Sequence, residues 1–338
     1  MKKRITYAFL ILLLLVLLIN FIGCEHDYGI TPIYHQNEMT FISNYTTPGN
    51  CVSSATKIIQ GTDYAFLALG NSGIEIANIS NPSNPHYVVS YNLSGYQEQI
   101  AVDYINNVPY AFVASGNNGL TILDLTNINA AVLDTVVNFS GDYIQTLYLD
   151  SYNQYLYAGG KSNKMYIIDL YYLPNHISVV NNYLSFSEIN EIYVQDKIAF
   201  IAQDDGLDIV NVSNPLSPYR LSHGTSEDYA YGVKVDGNLA YIANNQDGVL
   251  LLDVSNPSSP REISYIDTYD IALDCAYFGH LLYIAEDDGG VEVYDVSSPS
   301  NPRYLAQYRT NGYSESVTLF NNLLLVSNYY DLMILRYP

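Results

Sequence analysis

The chain has 338 residues, with 13 Lys+Arg against 34 Asp+Glu and a formal net charge of −21. Hydrophobic residues make up 49% and charged residues only 14%, a balance that folds rather than stays disordered. So few basic side chains argue against DNA or RNA as partner, because that binding needs Lys and Arg to displace counterions from phosphates.

Lys2, Lys3 and Arg4 open the chain, and an unbroken apolar stretch runs from Tyr7 to Ile19 before Phe21-Ile22-Gly23-Cys24. A basic flank, a short apolar segment and a small residue before a cut describe an export signal rather than part of the fold. The ending at Gly23-Cys24 resembles a bacterial lipobox, which implies cleavage after residue 23 and lipidation of Cys24. An uncleaved membrane helix is the competing reading, since Ile5 to Gly23 is nearly long enough to span. Loss of the three basic residues 2–4 takes the charge from −21 to −24. Residues 24–38 then read as a polar tether. The protein is expected at the cell envelope, outside the cytoplasm, with the lipid as its only membrane contact.

From residue 39 onward the chain repeats. The segments GIEIANISNPSNP (73–85), GLDIVNVSNPLSP (206–218), GVLLLDVSNPSSP (248–260) and GVEVYDVSSPSNP (290–302) each follow an apolar block. Degenerate copies lie at 110–127 and 155–174, and a truncated one at 323–338. A small residue closes the apolar block at Ala68, Ala114, Ala158, Ala202, Ala243, Ala285 and Ser327. The spacing suits about four short strands, one propeller blade. In the fifth unit the strands are predicted over 232–237, 239–243, 249–255 and 261–267, named a to d from the axis outward. Asp236-Gly237-Asn238 and Gln246-Asp247-Gly248 supply the turns. Eight prolines fall in the c–d slot, where no ladder hydrogen bond is lost.

The body begins with MTFISNY (39–45), which matches strand d, and ends on strands b and c. An N-terminal strand can therefore complete the last blade and remove the open edges. The predicted fold is all-β: a seven-bladed β-propeller over 39–338, closed by an N-terminal outer strand. An open stack of sheets is the alternative.

The phrases GLDIVNVSNP and GVLLLDVSNP resemble the LVIVD repeat of bacterial and archaeal surface proteins and lipoproteins. The resemblance covers about residues 39–338 and is strongest in units one, four, five and six. It implies a β-propeller on an exported protein and carries over no catalytic residue. Units two and three depart from the pattern at Thr126–Asn129 and Leu173-Pro174-Asn175.

In such a meander the b–c and d–a connections share one end, and there the acids gather. The d–a connections hold Glu98, Asp142, Glu188, Glu191, Glu227, Asp228, Tyr229, Asp270, Tyr313 and Glu315. They predict an acidic, tyrosine-studded funnel at the channel mouth, or else merely a solvated rim. The b–c loops contribute Asp204-Asp205-Gly206 and Glu286-Asp287-Asp288-Gly289. Asp and Gly there suit tight turns. Asp204, Asp205, Asp287 and Asp288 are also weak candidates for a Ca²⁺ site, although none follows an EF-hand spacing. The six His occupy unrelated repeat positions, and no nucleophile elbow or phosphate loop is present. Cys51 and Cys275 could form a disulfide in an exported protein, or be buried thiols. No cofactor is expected beyond that Ca²⁺. The resulting expectation is a monomeric, non-catalytic binding or scaffold module for a protein or glycan partner. The alternative is a Ca²⁺-dependent hydrolase of glycosidase or lactonase type that uses the same acids.

Overall fold

The computed structural model describes residues 39–224 and 228–337. Cys24, the signal segment, the tether and Glu227 lie outside the described residues.

Seven antiparallel four-stranded sheets follow one another around a ring. In blade 5 the strands are Gly232–Asp236, Leu239–Ala243, Val249–Asp253 and Arg261–Ile266. Strand c stops two residues short of the prediction because Asp253 Oδ1 accepts the Ser255 N–H at 2.9 Å and bends the chain into its turn. The seventh blade is composite. Its strands a to c are Ser314–Phe320, Leu323–Asn328 and Asp331–Arg336, and strand d is the N-terminal Thr40–Thr46. Thr40 pairs with Arg336 and Thr46 with Asp331. The ring is thus closed by the predicted strand, shifted by one residue.

Alternation along strand a explains why the axis is hollow and polar. In blade 4, Glu191 and Tyr193 face the channel, while Ile192 and Val194 pack between blades. The apolar core is therefore divided into seven wedges, one at each blade interface. All seven small residues at the repeat anchor are fully buried at the end of strand b. A larger side chain there would have to displace the neighbouring blade.

The proline turns also join blades. Ser43, Ser222 and Ser264 on strand d donate to the carbonyls of Pro82, Pro257 and Pro299 in the next blade, at 2.6, 2.7 and 2.6 Å. Asn181 donates to Leu216 O in the same way at 2.7 Å. The b–c loops need glycine twice over. Gly248 has φ +71°, and a Cβ on it would lie 2.1 Å from Ile266 O; Gly73 and Gly290 repeat the arrangement. Cys51 and Cys275 are buried free thiols, each in a different blade interface.

Candidate functional site

Strand a of each blade starts at the d–a connection, so its first residues ring one mouth of the channel. Two adjoining cavities occupy the axis, of about 390 Å³ at the mouth and about 380 Å³ below it. Glu98, Gln145, Asn190, Tyr231 and Glu315 line the upper one. Ser53, Gln99, Glu191, Asp274 and Ser316 line both.

Every step from one blade to the next around the channel is bridged by a side chain of strand a. Gln99 accepts the Leu147 N–H, Gln145 donates to Ile189 O at 2.7 Å, and Glu191 accepts the Val233 N–H at 2.6 Å. Asp274 accepts the Val317 N–H at 3.0 Å, and Thr318 donates to Ser54 O at 2.9 Å. Ion pairs complete the circuit: Lys57 with Asp103, and Lys234 with Asp274 at 3.5 Å. The belt ties all seven inner strands to one another around the channel.

Lys234 also contacts Glu191, so one ammonium sits between two carboxylates. Burial alone would lower its pKa, but Glu191 and Asp274 outweigh this and hold it well above its ordinary value. Burial pushes the Glu191 carboxyl up to about 7 against the pull of Lys234. These two acids are therefore committed to an ion pair.

The mouth acids differ. Glu98 accepts a hydrogen bond from the Tyr143 hydroxyl, and Glu315 has no such donor among the described residues. Burial pushes Glu98 up, opposed by Tyr143 and Lys161. Burial, then the Asp287 and Glu98 carboxylates, raise Glu315. Both remain partly exposed. Tyr313 and Tyr229 stand on the rim, 41% and 47% exposed. Tyr229 lies 6.2 Å from Tyr231, which reaches the cavity.

Other predicted residues serve the loops instead. Asp142 accepts from the Ser162 N–H at 3.0 Å and from the Tyr166 hydroxyl at 3.0 Å, capping the b–c loop of blade 3. Asp228 does the same in blade 5 through Asn245 at 2.7 Å and the Gln246 N–H at 3.2 Å. Burial pushes its carboxyl up, yet those bonds together with the Tyr229 N–H outweigh it and hold the carboxyl below the usual range. Asp270 binds the Ile271 N–H at 2.8 Å and faces blade 6, and Glu188 does not line the cavities. Asp204 accepts from Asn190 at 3.0 Å, and Asp205 lies 3.7 Å from His223. Asp287 is pushed up by burial, Asp288 and Asp270, and Asp288 is exposed. Among the described residues no three His, Cys, Asp or Glu side chains are grouped as a metal would require.

Two groups escaped the sequence reading. Lys234 and Asp274 are polar positions of strand a, and period-two alternation places them on the channel. Glu286 is the last residue of strand b (Leu281–Glu286), not the start of a loop. It is fully buried, and neither of its oxygens has a hydrogen-bond partner among the described residues. Burial, the adjacent Glu292 carboxyl and Asp270 push it up to about 9. In blade 4 the matching positions hold Gln203 and Asp208, where His223 binds Asp208 at 2.8 Å.

The LVIVD repeat model matches residues 54–93, 109–139, 189–221, 226–268 and 271–310. Blade 3 and the composite blade 7 fall outside these matches. No curated protein matches the sequence. A chain in the crystal structure of the mitotic checkpoint complex is similar with a TM-score of 0.70 at 11% identity, over 90% of this chain and 94% of that one. The computationally designed Ika8 protein is similar with a TM-score of 0.62 at 10% identity, over 88% and 100%. Likeness at such identities concerns the fold alone. The repeat matches together span more than half of the sequence, and the chain belongs to the LVIVD-repeat family.

Proposed function

We propose that this is a lipid-anchored envelope protein whose propeller binds a protein or glycan partner at the channel mouth and catalyses no reaction. The contrast between the two sets of acids carries this reading. Glu191 and Asp274 share Lys234 as their counterion, whereas Glu98 and Glu315 stay partly exposed beside tyrosines and amides. Tyrosine offers apolar area with a hydrogen-bonding tip, and the amides accept and donate, which suits hydroxyl-rich or peptide surfaces. The lipobox-like Gly23-Cys24 supports the anchor.

The test replaces Glu98, Glu227 and Glu315 together by Gln. The variant should keep the wild-type melting temperature and lose binding to a glycan array or to partners captured from envelope extract. Millimolar Ca²⁺ should shift the melting temperature no more than Mg²⁺ does, as screening of a strongly acidic protein would. A Ca²⁺-specific shift of several degrees, abolished by the triple change and joined by hydrolysis of a glycoside or lactone, would overturn the reading.

A further inference from the structure

Strand d of blade 7 begins at Thr40, which pairs with Arg336 at the end of strand c. The chain therefore enters the propeller at the end that carries the a–b and c–d turns, opposite the acidic mouth. Fifteen residues, or sixteen Cα steps, separate Cys24 from Thr40. Fully extended they reach at most about 55 Å. A seven-residue strand is itself about 24 Å long, so seating the mouth on the membrane would use nearly half of that reach just to climb the blade.

The turn end has an unusual sector. In blades 1, 5 and 6 the residues inside the c–d turns are Ser83-Asn84, Ser258-Ser259 and Ser300-Asn301. Blade 3 instead presents Tyr171 and Tyr172, 60% and 59% exposed, with their rings edge to face at 4.8 Å. Its a–b turn adds Tyr152 at 94%, and the neighbouring turn of blade 4 adds Leu216 at 69%. Asn106 fastens the two turns of blade 3 together, donating to Tyr171 O at 3.0 Å and accepting from Gln154 at 2.9 Å. Asn181 fastens the Leu216 turn beside them. The patch is fixed in place, and aromatic side chains with polar tips partition to the headgroup level of a bilayer.

We infer that the propeller stands on the membrane on its turn end, with Tyr152, Tyr171, Tyr172 and Leu216 at headgroup level and the channel mouth facing away. This rests on lipidation of Cys24 and extends the membrane contact beyond the lipid itself. It also leaves the mouth free for the partner proposed above.

The full-length lipidated protein, reconstituted into vesicles of phosphatidylethanolamine and phosphatidylglycerol, provides the test. A nitrobenzoxadiazole label is placed at Ser217→Cys on the turn end or at Asn71→Cys on the mouth end; both sites are exposed, and the native thiols are buried. With headgroup spin-labelled lipid, the Ser217 label should be quenched severalfold more than the Asn71 label. Adding Tyr152→Ser, Tyr171→Ser and Tyr172→Ser should abolish that difference while the protein still floats with the vesicles. Flotation with both labels equally exposed to aqueous iodide, or stronger lipid quenching at Asn71, refutes the orientation and leaves the anchor standing. Failure to float, with unmodified Cys24 by mass spectrometry, refutes the anchor and the orientation with it.

Discussion

Replacing Glu286 by Gln should stabilise the propeller at neutral pH, although the residue is fully buried. The carboxyl titrates near 9 in the folded protein against an ordinary 4.5. At pH 7 the folded state must hold a proton that the unfolded chain has released. The gap between 4.5 and 7, at about 1.4 kcal/mol per pH unit, makes this an unfavourable contribution of about 3 kcal/mol. A raised carboxyl pKa favours folding only below the unfolded value, so the penalty is absent near pH 4.5 and grows until about pH 9. Gln removes the proton requirement, and Gln203 already fills the same buried position in blade 4. For roughly 300 folded residues, unfolding entropy near 2 cal/mol/K each converts 3 kcal/mol into a rise of about 5 °C in Tm. Calorimetric melts of both proteins at pH 4.5, 7 and 9 read this directly. Equal melting temperatures at all three pH values, or a less stable Gln variant at pH 7, would refute a buried carboxyl held protonated in the folded state.

Deleting residues 39–46 removes strand d of blade 7 and exposes strand c, so the protein should aggregate or melt well below wild type in a thermal scan; an unchanged Tm contradicts closure by that strand. Lys234→Met leaves Glu191 and Asp274 facing each other and should cost about 3–5 kcal/mol at pH 7 by urea denaturation. That loss should shrink at pH 5, where Glu191, already raised to about 7, takes up a proton. Tyr283→Phe removes a buried hydroxyl with no partner among the described residues and should leave stability unchanged or raise it by about 1 kcal/mol. Cys24→Ser should abolish detergent-phase partitioning, and an unmodified Cys24 in the wild-type mass spectrum would refute the anchor.

The blade count and ring closure were legible because they depend on period and turn chemistry, which one chain displays seven times over. Orientation of the acids was less so. Glu98 directly precedes strand a and reaches the cavity, whereas Asp142 stands two residues before a strand whose pairing is bulged between Ile144 and Thr146, and it turns to its own loop. A one-residue offset decides between channel and loop, and sequence spacing does not resolve it. Lys234 and Asp274 lay within reach of the alternation rule, since their neighbours Val233 and Cys275 are plainly apolar. Glu286 was hidden for a different reason. An acid leading into Asp-Asp-Gly reads as the first residue of a polar loop, and only the pairing of Glu286 with Gly290 shows that the strand continues through it.

The composite seventh blade has a consequence for how the protein is made. The segment Thr40–Thr46 is the first part of the body to be synthesised, and its partner Asp331–Arg336 is among the last. Until that partner arrives, the early strand has no ladder to join and the growing array has an unsatisfied edge at each end. Completion is therefore an all-or-none event separated from initiation by nearly the whole chain, the kind of distant pairing that slows folding. A product broken off at any earlier blade could not seal and would keep the open edge that proteases recognise. The closing strand thereby joins the two ends of the body: only a chain that carries both Thr40–Thr46 and Asp331–Arg336 becomes a ring.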